Sequence, residues 1–333
     1  MALVEVSLEL PPDARAIYED VVGKGPQGAS PRGSTYWRRV HSCAHEHGLA
    51  NELKWERLPR ADALDTGLLW HGCLETYYLA LQALQRGERR PQTPEQEAFW
   101  FLEKFSKAKG WENFYEKVSR MLDAYFTRWR DNNDWEILAV EYSAGWMRAT
   151  DPVQTERMGF EYTCRFDMIV IDHSFMPVVR HIESKSASRL DAIMVQGYGQ
   201  DDQVLGQCFI AHQIPWRENG FPPYVGALVN ITTKGKTPLC ERVPVSPQPA
   251  QLESWRQAKR FWSWQASQYA AWEFPKNYAN CTRRFGRCQF FQLCRTQPEE
   301  TLITLRRRDE IGESAMPFGY RKIESNVMDA GEE

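Results

Sequence analysis

Tyr162-Thr163-Cys164-Arg165-Phe166-Asp167-Met168-Ile169-Val170-Ile171-Asp172, a polar break at His173-Ser174-Phe175-Met176-Pro177, and Val178-Val179-Arg180-His181-Ile182-Glu183-Ser184-Lys185 form the most informative segment of the chain. Both halves are apolar and rich in β-branched residues, and the break between them suits a turn, so the segment predicts two antiparallel strands. Asp167, Glu183 and Lys185 are its odd residues. Side chains two apart on a strand share a face, so Glu183 and Lys185 point the same way. If Asp167 lies across from them, two carboxylates and an amine converge on one patch, as a hard divalent cation and a proton-transfer group require. A cross-strand salt bridge on a solvated face accounts for the same spacing, so the rest of the chain has to decide.

The length of 333 residues allows one large or two moderate domains. A hydrophobic content of 42% and a charged content of 26% are those of a globular protein, with a heavy load of 13 Trp. The net charge of −3 gives no global sign of a polyanion partner, although a local basic patch would still bind one. Met1-Ala2-Leu3-Val4-Glu5-Val6 lacks the pattern of a secretory leader, and no run reaches the roughly 18 apolar residues of a membrane span. A cytoplasmic protein without membrane contact is the expectation. In that setting the eight cysteines are to be tested as metal or cluster ligands before disulfides.

Residues 1–33 read as an arm rich in Pro, Gly and Ser. Ser34 to about Asn51 predicts a short helix with Cys43 at its end, in the neighbourhood of His41, His45 and His47. Asp65-Thr66 can cap a helix from Leu68 to about Arg86, which carries His71, Leu74, Tyr78 and Leu81 on one stripe and Glu75 one turn beyond His71. A core histidine explains His71 if that helix is taken alone. Thr93-Pro94-Glu95-Gln96 is a capping-box start for a helix ending at Gly110, and another helix spans Trp111 to Trp129. Trp135 to Tyr142 reads as a strand and Pro223 to Ile231 as a further, central one. Between them Asp201-Asp202 caps a helix over Gln203 to His212. Pro244 to Pro249 reads as a loop, and Leu252, Trp255, Trp262, Tyr269 and Trp272 punctuate a long helix. Helices first, then strand, hairpin, helix and strand, predict one α/β domain with a mixed sheet and a helical elaboration.

Cys281, Cys288 and Cys294 lie within fourteen positions, and Cys43 is the natural fourth ligand. Four thiolates suit zinc or an iron–sulfur cluster, and a three-plus-one split between chain ends is more at home with the cluster. Cys73, Cys164 and Cys208 sit in apolar surroundings as ordinary buried thiols, and Cys240 has no evident partner.

With Gly67…His71, Glu141, Asp167, Glu183-x-Lys185 and the split cysteines in this order, the chain resembles the RecB-like, iron–sulfur branch of the PD-(D/E)XK nuclease superfamily. That branch includes CRISPR-adaptation nucleases, the AddB nuclease domain and phage-encoded relatives. The resemblance runs from about Ser34 to Cys294. It implies a restriction-endonuclease-like α/β core, a mixed central sheet flanked by helices, with a cysteine-ligated module joining the N- and C-terminal parts. A single domain over 34–311 follows, its cluster module at 34–50 and 273–296, with a flexible tail at 312–333. It further implies that His71, Asp167 and Glu183 ligate Mg2+ or Mn2+, that Lys185 positions or deprotonates the attacking water, and that Glu141 assists the metal site. Cys43, Cys281, Cys288 and Cys294 would hold a [4Fe–4S] cluster, or Zn2+ in the alternative. The family often shows Gln-x-x-x-Tyr on the helix after the hairpin; here Gln203 is present and Gln207 stands in place of the tyrosine.

The segment from Arg256 to Arg308 carries Lys259, Arg260, Lys276, Arg283, Arg284, Arg287, Arg295, Arg306 and Arg307 against Glu273, Glu299 and Glu300, interleaved with aromatics. Such a segment suits a phosphate backbone or unpaired bases, with Arg283 and Arg284, beside Gln203, as DNA contacts. A metal-dependent DNA exonuclease in recombination, repair, CRISPR adaptation or phage DNA metabolism is therefore expected. An inactive nuclease-fold DNA-binding or assembly subunit is the alternative.

Overall fold

The computed structural model describes residues 32–52, 55–57, 62–130, 134–148, 151–269, 274–283, 286–291, 294 and 320–322. In chain order the elements are α1 (Ser34–Ser42), α2 (Ala44–His47), a π-helical turn Gly48–Glu52, β1 (Trp55–Arg57), α3 (Asp62–Gln85), α4 (Pro94–Lys109) and α5 (Glu112–Trp129). There follow β2 (Trp135–Trp146), α6 (Pro152–Met158), β3 (Tyr162–Asp172), β4 (Val178–Ala187), α7 (Ala192–Gly197), a 3-10 turn Tyr198–Gln200 and α8 (Asp202–Ala211). The last are β5 (Tyr224–Thr233), β6 (Cys240–Val245), α9 (Pro249–Ala266), and the short strands β7 (Thr282–Arg283), β8 (Gly286–Arg287) and β9 (Tyr320–Lys322). The chain divides into two compact units, Met1–Ser34 with Asp62–Arg256, and Thr35–Ala61 with Gln257–Glu333.

The first unit is a mixed α/β fold built on a five-stranded sheet of order β2-β3-β4-β5-β6. All neighbours are antiparallel except β4 and β5, which run parallel and are joined through α7 and α8. The helix ends follow local chemistry. Thr93 accepts from Gln96 N while the Gln96 side chain accepts from Thr93 N, completing the capping box, and Gly110 closes α4 in the left-handed conformation with φ 65°. Asp201 caps α8 by accepting from the backbone N–H groups of Gln203 and Val204.

The core of this unit brings α3, α4 and α5 onto the sheet, with Leu69, Trp70, Leu102, Val118, Met121 and Leu122 packed against Ile137, Met168, Val170 and Ile182. Polar clamps fix α3 to β2. Gln82 Nε2 donates to the carbonyls of Ile137 and Leu138 at 3.2 and 3.0 Å, and Gln85 accepts from Ile137 N and donates to Trp135 O. Leu138 is the extra residue of a bulge in the β2–β3 register, so these glutamines satisfy backbone groups that the irregular ladder leaves over. Anchored there, α3 presents its first half, with His71 and Glu75, toward the middle of β3.

Some elements differ from the sequence reading. α3 starts at Asp62, so Asp65 and Thr66 lie inside the helix rather than capping it; helix-compatible residues upstream carry it on. Pro244 and Val245, read as loop, belong to β6, an edge strand where proline costs no internal ladder bond. α9 ends at Ala266, before Tyr269, and α6 and β1 carry no strong periodicity in the sequence. Tyr320–Lys322, within the segment read as a tail, pair with β1.

In the second unit α1 and α2 meet the chain around Phe274 to Asn280. Asn277 Nδ2 and Asn280 Nδ2 both donate to Ser42 O, and His45 N donates to Pro275 O. Lys259 is buried, with its ammonium 6.0 Å from the centre of the Trp37 ring. Among the described residues no helix is long and apolar enough to cross a membrane.

Gly206 on α8 lets the buried Tyr162 and Trp255 rings approach the helix backbone, since a Cβ there would collide with both. Gly206→Ala is accordingly expected to destabilise the protein by about 1–3 kcal/mol through overpacking. A lower urea midpoint at unchanged slope is the expected measurement; an unchanged midpoint would show that the rings have room to withdraw.

Candidate active site

The β3–β4 ladder runs from Asp172↔Val178 to Met168↔Ile182 and stops there. Asp167 and Glu183 are the next residues on the two strands, so both stand at the mouth of the opened hairpin. Asp167 closes the gap with its side chain: Oδ2 accepts from the backbone N–H of Ser184 at 2.6 Å. The same oxygen lies 3.4 Å from His71 Nδ1, delivered by α3. His71 is about a third exposed and is therefore not a core histidine. Although burial favours the protonated form of the Asp167 carboxyl, His71 and the Ser184 N–H outweigh it and hold the group below the usual carboxylate range. Burial alone would lower the His71 pKa, and the Asp167 charge raises it.

Glu183 is almost wholly buried, 1% exposed, and is held at both oxygens. Oε1 accepts from Lys185 Nζ at 2.6 Å and from Gln203 Nε2 at 2.7 Å; Oε2 accepts from Gln207 Nε2 at 2.6 Å. Gln203 Oε1 in turn accepts from Lys185 Nζ at 2.7 Å. Burial, followed by the Asp167 charge, raises the Glu183 pKa. Burial by itself would lower that of Lys185, but Glu183 raises it, so Lys185 is held as an ammonium. Behind this group His181 is buried and pushed down to about 3 by desolvation, so its ring is neutral.

Glu141 lies opposite Asp167 in the β2–β3 register, between the Val140↔Met168 and Tyr142↔Phe166 pairs. Among the described residues it is the one non-glycine with positive φ, 51°. That backbone strain, of order 1 kcal/mol, aims a buried carboxylate at the site. Arg165 Nε pairs with Glu141 Oε2 at 2.5 Å. Burial and the charges of Asp167 and Glu75 nevertheless hold the Glu141 pKa well above its ordinary value. Glu75, one helical turn after His71, is buried and pushed up to about 7 by desolvation and by Asp167. His71, Glu75, Glu141 and Asp167 line one pocket with Leu74, Tyr78, Met168, Ile182 and Ser184.

The structure thus brings His71, Glu141, Asp167, Glu183, Lys185 and Gln203 together. It adds Glu75, Arg165 and Gln207. For Glu75 the sequence signal was its spacing from His71; Gln207 was legible as the fourth residue after Gln203, one turn along the same helix face. Arg165 had no signal beyond being a charge in an apolar strand.

In the second unit Cys43, Cys281, Cys288 and Cys294 line a common cavity with Glu46, Lys276, Asn277 and Asn280. None of the eight cysteines is in a disulfide. Cys294 is pushed up to about 11 by burial, with Cys43 and Cys281 adding to the shift. Cys73, Cys164 and Cys208 are buried, as expected, while Cys240 Sγ lies 3.6 Å from Thr232 Oγ1. Arg283 falls in β7 and Arg284 lies outside the described residues.

The model of the PD-(D/E)XK nuclease superfamily matches residues 35–295. The chain belongs to the PD-(D/E)XK nuclease superfamily. It is thereby a nuclease-family hydrolase acting on phosphodiester bonds, with DNA as the implied substrate. Among solved structures it is similar to a "putative exonuclease" from Eubacterium rectale, at 11% identity and a TM-score of 0.40, covering 80% of this chain and 86% of that one. Comparison with curated proteins gives no match.

PD-(D/E)XK nucleases generally use divalent metals such as Mg2+, and the donor set here fits such an ion. Carboxylate oxygens and an imidazole are hard or borderline ligands, and three hydrogen bonds to Glu183 leave about one of its roughly four lone-pair directions for a cation. In the present arrangement these groups are engaged by protein partners, and among the described residues no three His, Cys, Asp or Glu side chains are drawn together closely enough to hold an ion.

The crowded carboxylates give a pH signature. Glu75 retains its proton in the fold up to about pH 7, whereas the unfolded chain releases it near 4.5. The fold therefore binds more protons across that window, and stability falls as pH rises through it. In chelator, Glu75→Gln is expected to flatten this fall by about 1–3 kcal/mol, read from urea midpoints at about pH 5 and about pH 8. Parallel pH profiles for the two proteins would refute it.

Proposed function

We propose that the chain is a metal-dependent DNA nuclease of the RecB-like iron–sulfur branch, a cytoplasmic exonuclease acting at DNA ends or in single strands. The observation that carries this reading is the convergence of Asp167, Glu183, Lys185 and His71 where the β3–β4 ladder ends. His71, Asp167 and Glu183 would hold Mg2+ or Mn2+, with Glu141 assisting. When bound, the cation neutralises the scissile phosphate and acidifies a water. Lys185, held as an ammonium by Glu183, orients the attacking water and presents positive charge where negative charge develops at phosphorus. Asp167, locked by Ser184 N and paired with His71, keeps its carboxylate ionised for the same centre. Gln203, Arg283 and Arg284 are the proposed DNA contacts, and recombination, repair, CRISPR adaptation or phage DNA metabolism the settings that such an activity suits.

Cys43, Cys281, Cys288 and Cys294 are proposed to ligate a [4Fe–4S] cluster that staples 34–50 to 273–296 within a nuclease domain spanning 34–311. Their shared cavity, and the hydrogen bonds from Asn277 and Asn280 to Ser42, support this pairing of segments.

Labelled linear DNA with Mn2+ tests the chemistry. Wild type should shorten it from the ends, and Lys185→Ala or Asp167→Ala should slow cleavage by at least about a hundredfold; cleavage surviving both substitutions would exclude this site. For the thiols, an anaerobic preparation should be brown with about four irons per chain. A colourless preparation holding zinc would assign the site to that metal.

A further inference from the structure

We propose that Gln207 is a positioning residue that fixes the Glu183 carboxylate for cation binding, and that the Arg165 carbonyl holds the Gln207 amide in place to do so. The inference rests on the nuclease reading of the site and goes beyond it, because Gln207 stands where the resembling family carries a tyrosine.

Gln203 and Gln207 are one turn apart on α8 and face β4 together. The two amides divide the carboxylate between them. Gln203 shares Oε1 with Lys185, whereas Gln207 Nε2 is the donor described for Oε2. Losing Gln203 leaves Oε1 on the ammonium; losing Gln207 leaves Oε2 buried without a donor, and the carboxylate is free to turn about its last torsion. Gln207 is fully buried, so it is shielded from solvent and is no candidate for a DNA contact in this conformation. Its Nε2 also donates to Arg165 O at 3.0 Å, so both amide protons have acceptors and the amide is pinned between β3 and β4. A buried clamp thus runs from the Arg165 carbonyl on β3 through the Gln207 amide on α8 to Glu183 on β4. Such partners behind a metal ligand typically change affinity by about ten- to a hundredfold when removed.

The test compares full-length wild type with Gln207→Met, which keeps the length and loses the amide, by calorimetric Mn2+ titration without DNA and by urea unfolding. Mn2+ affinity should weaken about tenfold or more. Gln207→Asn, which keeps the amide but draws its donors back by one methylene, should weaken it about threefold or more and guards against a folding defect in the first variant. In cleavage assays kcat should fall and the Mn2+ requirement rise while KM for DNA stays within about twofold. Unchanged Mn2+ affinity in both variants, or a raised KM at unchanged kcat, overturns the proposal. Wild type that binds Mn2+ yet cleaves no DNA would refute the nuclease reading alone, since the Gln207 effect is still read from affinity.

Discussion

The hydrogen bond from Ser184 N to Asp167 Oδ2 holds the site together. Two antiparallel strands that stayed paired would bury Asp167 and Glu183 in a regular ladder, with no space between them for a ligand. Here the ladder ends at Met168↔Ile182, and a backbone N–H that would otherwise seek a strand partner is taken by a carboxylate instead. The bond satisfies the exposed backbone, fixes Asp167, and spreads the hairpin so that α3 can approach from one direction and α8 from another. The pocket exists because the strand pairing stops where the acidic residues begin.

Electrostatics then explains the surroundings. Glu75, Glu141, Asp167 and Glu183 repel one another in a largely desolvated space, which raises three of the four above their ordinary range. Lys185, Arg165 and His71 compensate in part. Neutral donors do the remainder: Gln203 and Gln207 stabilise Glu183 without adding a charge that would compete with an arriving cation. Further lysines or arginines in the site would bring their own desolvation cost and would compete with the arriving cation.

The hairpin, its turn and both strands were legible because alternation and β-branching there leave no competing pattern, and the Thr93 and Asp201 caps because their chemistry is local. The pairing of Glu183 with Lys185 followed from strand geometry alone. His71 could not be placed from its helix, since a stripe that includes Leu74 and Tyr78 predicts burial; only the position of Asp167 shows that the ring sits at the rim. β6 and the early start of α3 escaped because proline near an edge strand and a capping pair inside a helix send misleading local signals. Nor could sequence show the strained φ of Glu141, which stands opposite Asp167, three residues beyond the bulge at Leu138.

That strain sharpens the division of labour in the first unit. Positive φ at a glutamate, carboxylates kept from water and a ladder cut short all disfavour the folded state, and each is local to the pocket. What offsets them lies on the other part of α3 and in the helices that pack with it. Gln82 and Gln85 tie the helix to β2 beside the bulge, and Trp70, Tyr125 and Leu122 lie in a dry core around it. Tyr125 also accepts from Asn230 of β5, so the same helix layer reaches the strand next to β4. A scaffold fixed at these points can hold an acidic pocket open without collapsing it, because the repelling groups cannot relieve their repulsion by moving the elements that carry them.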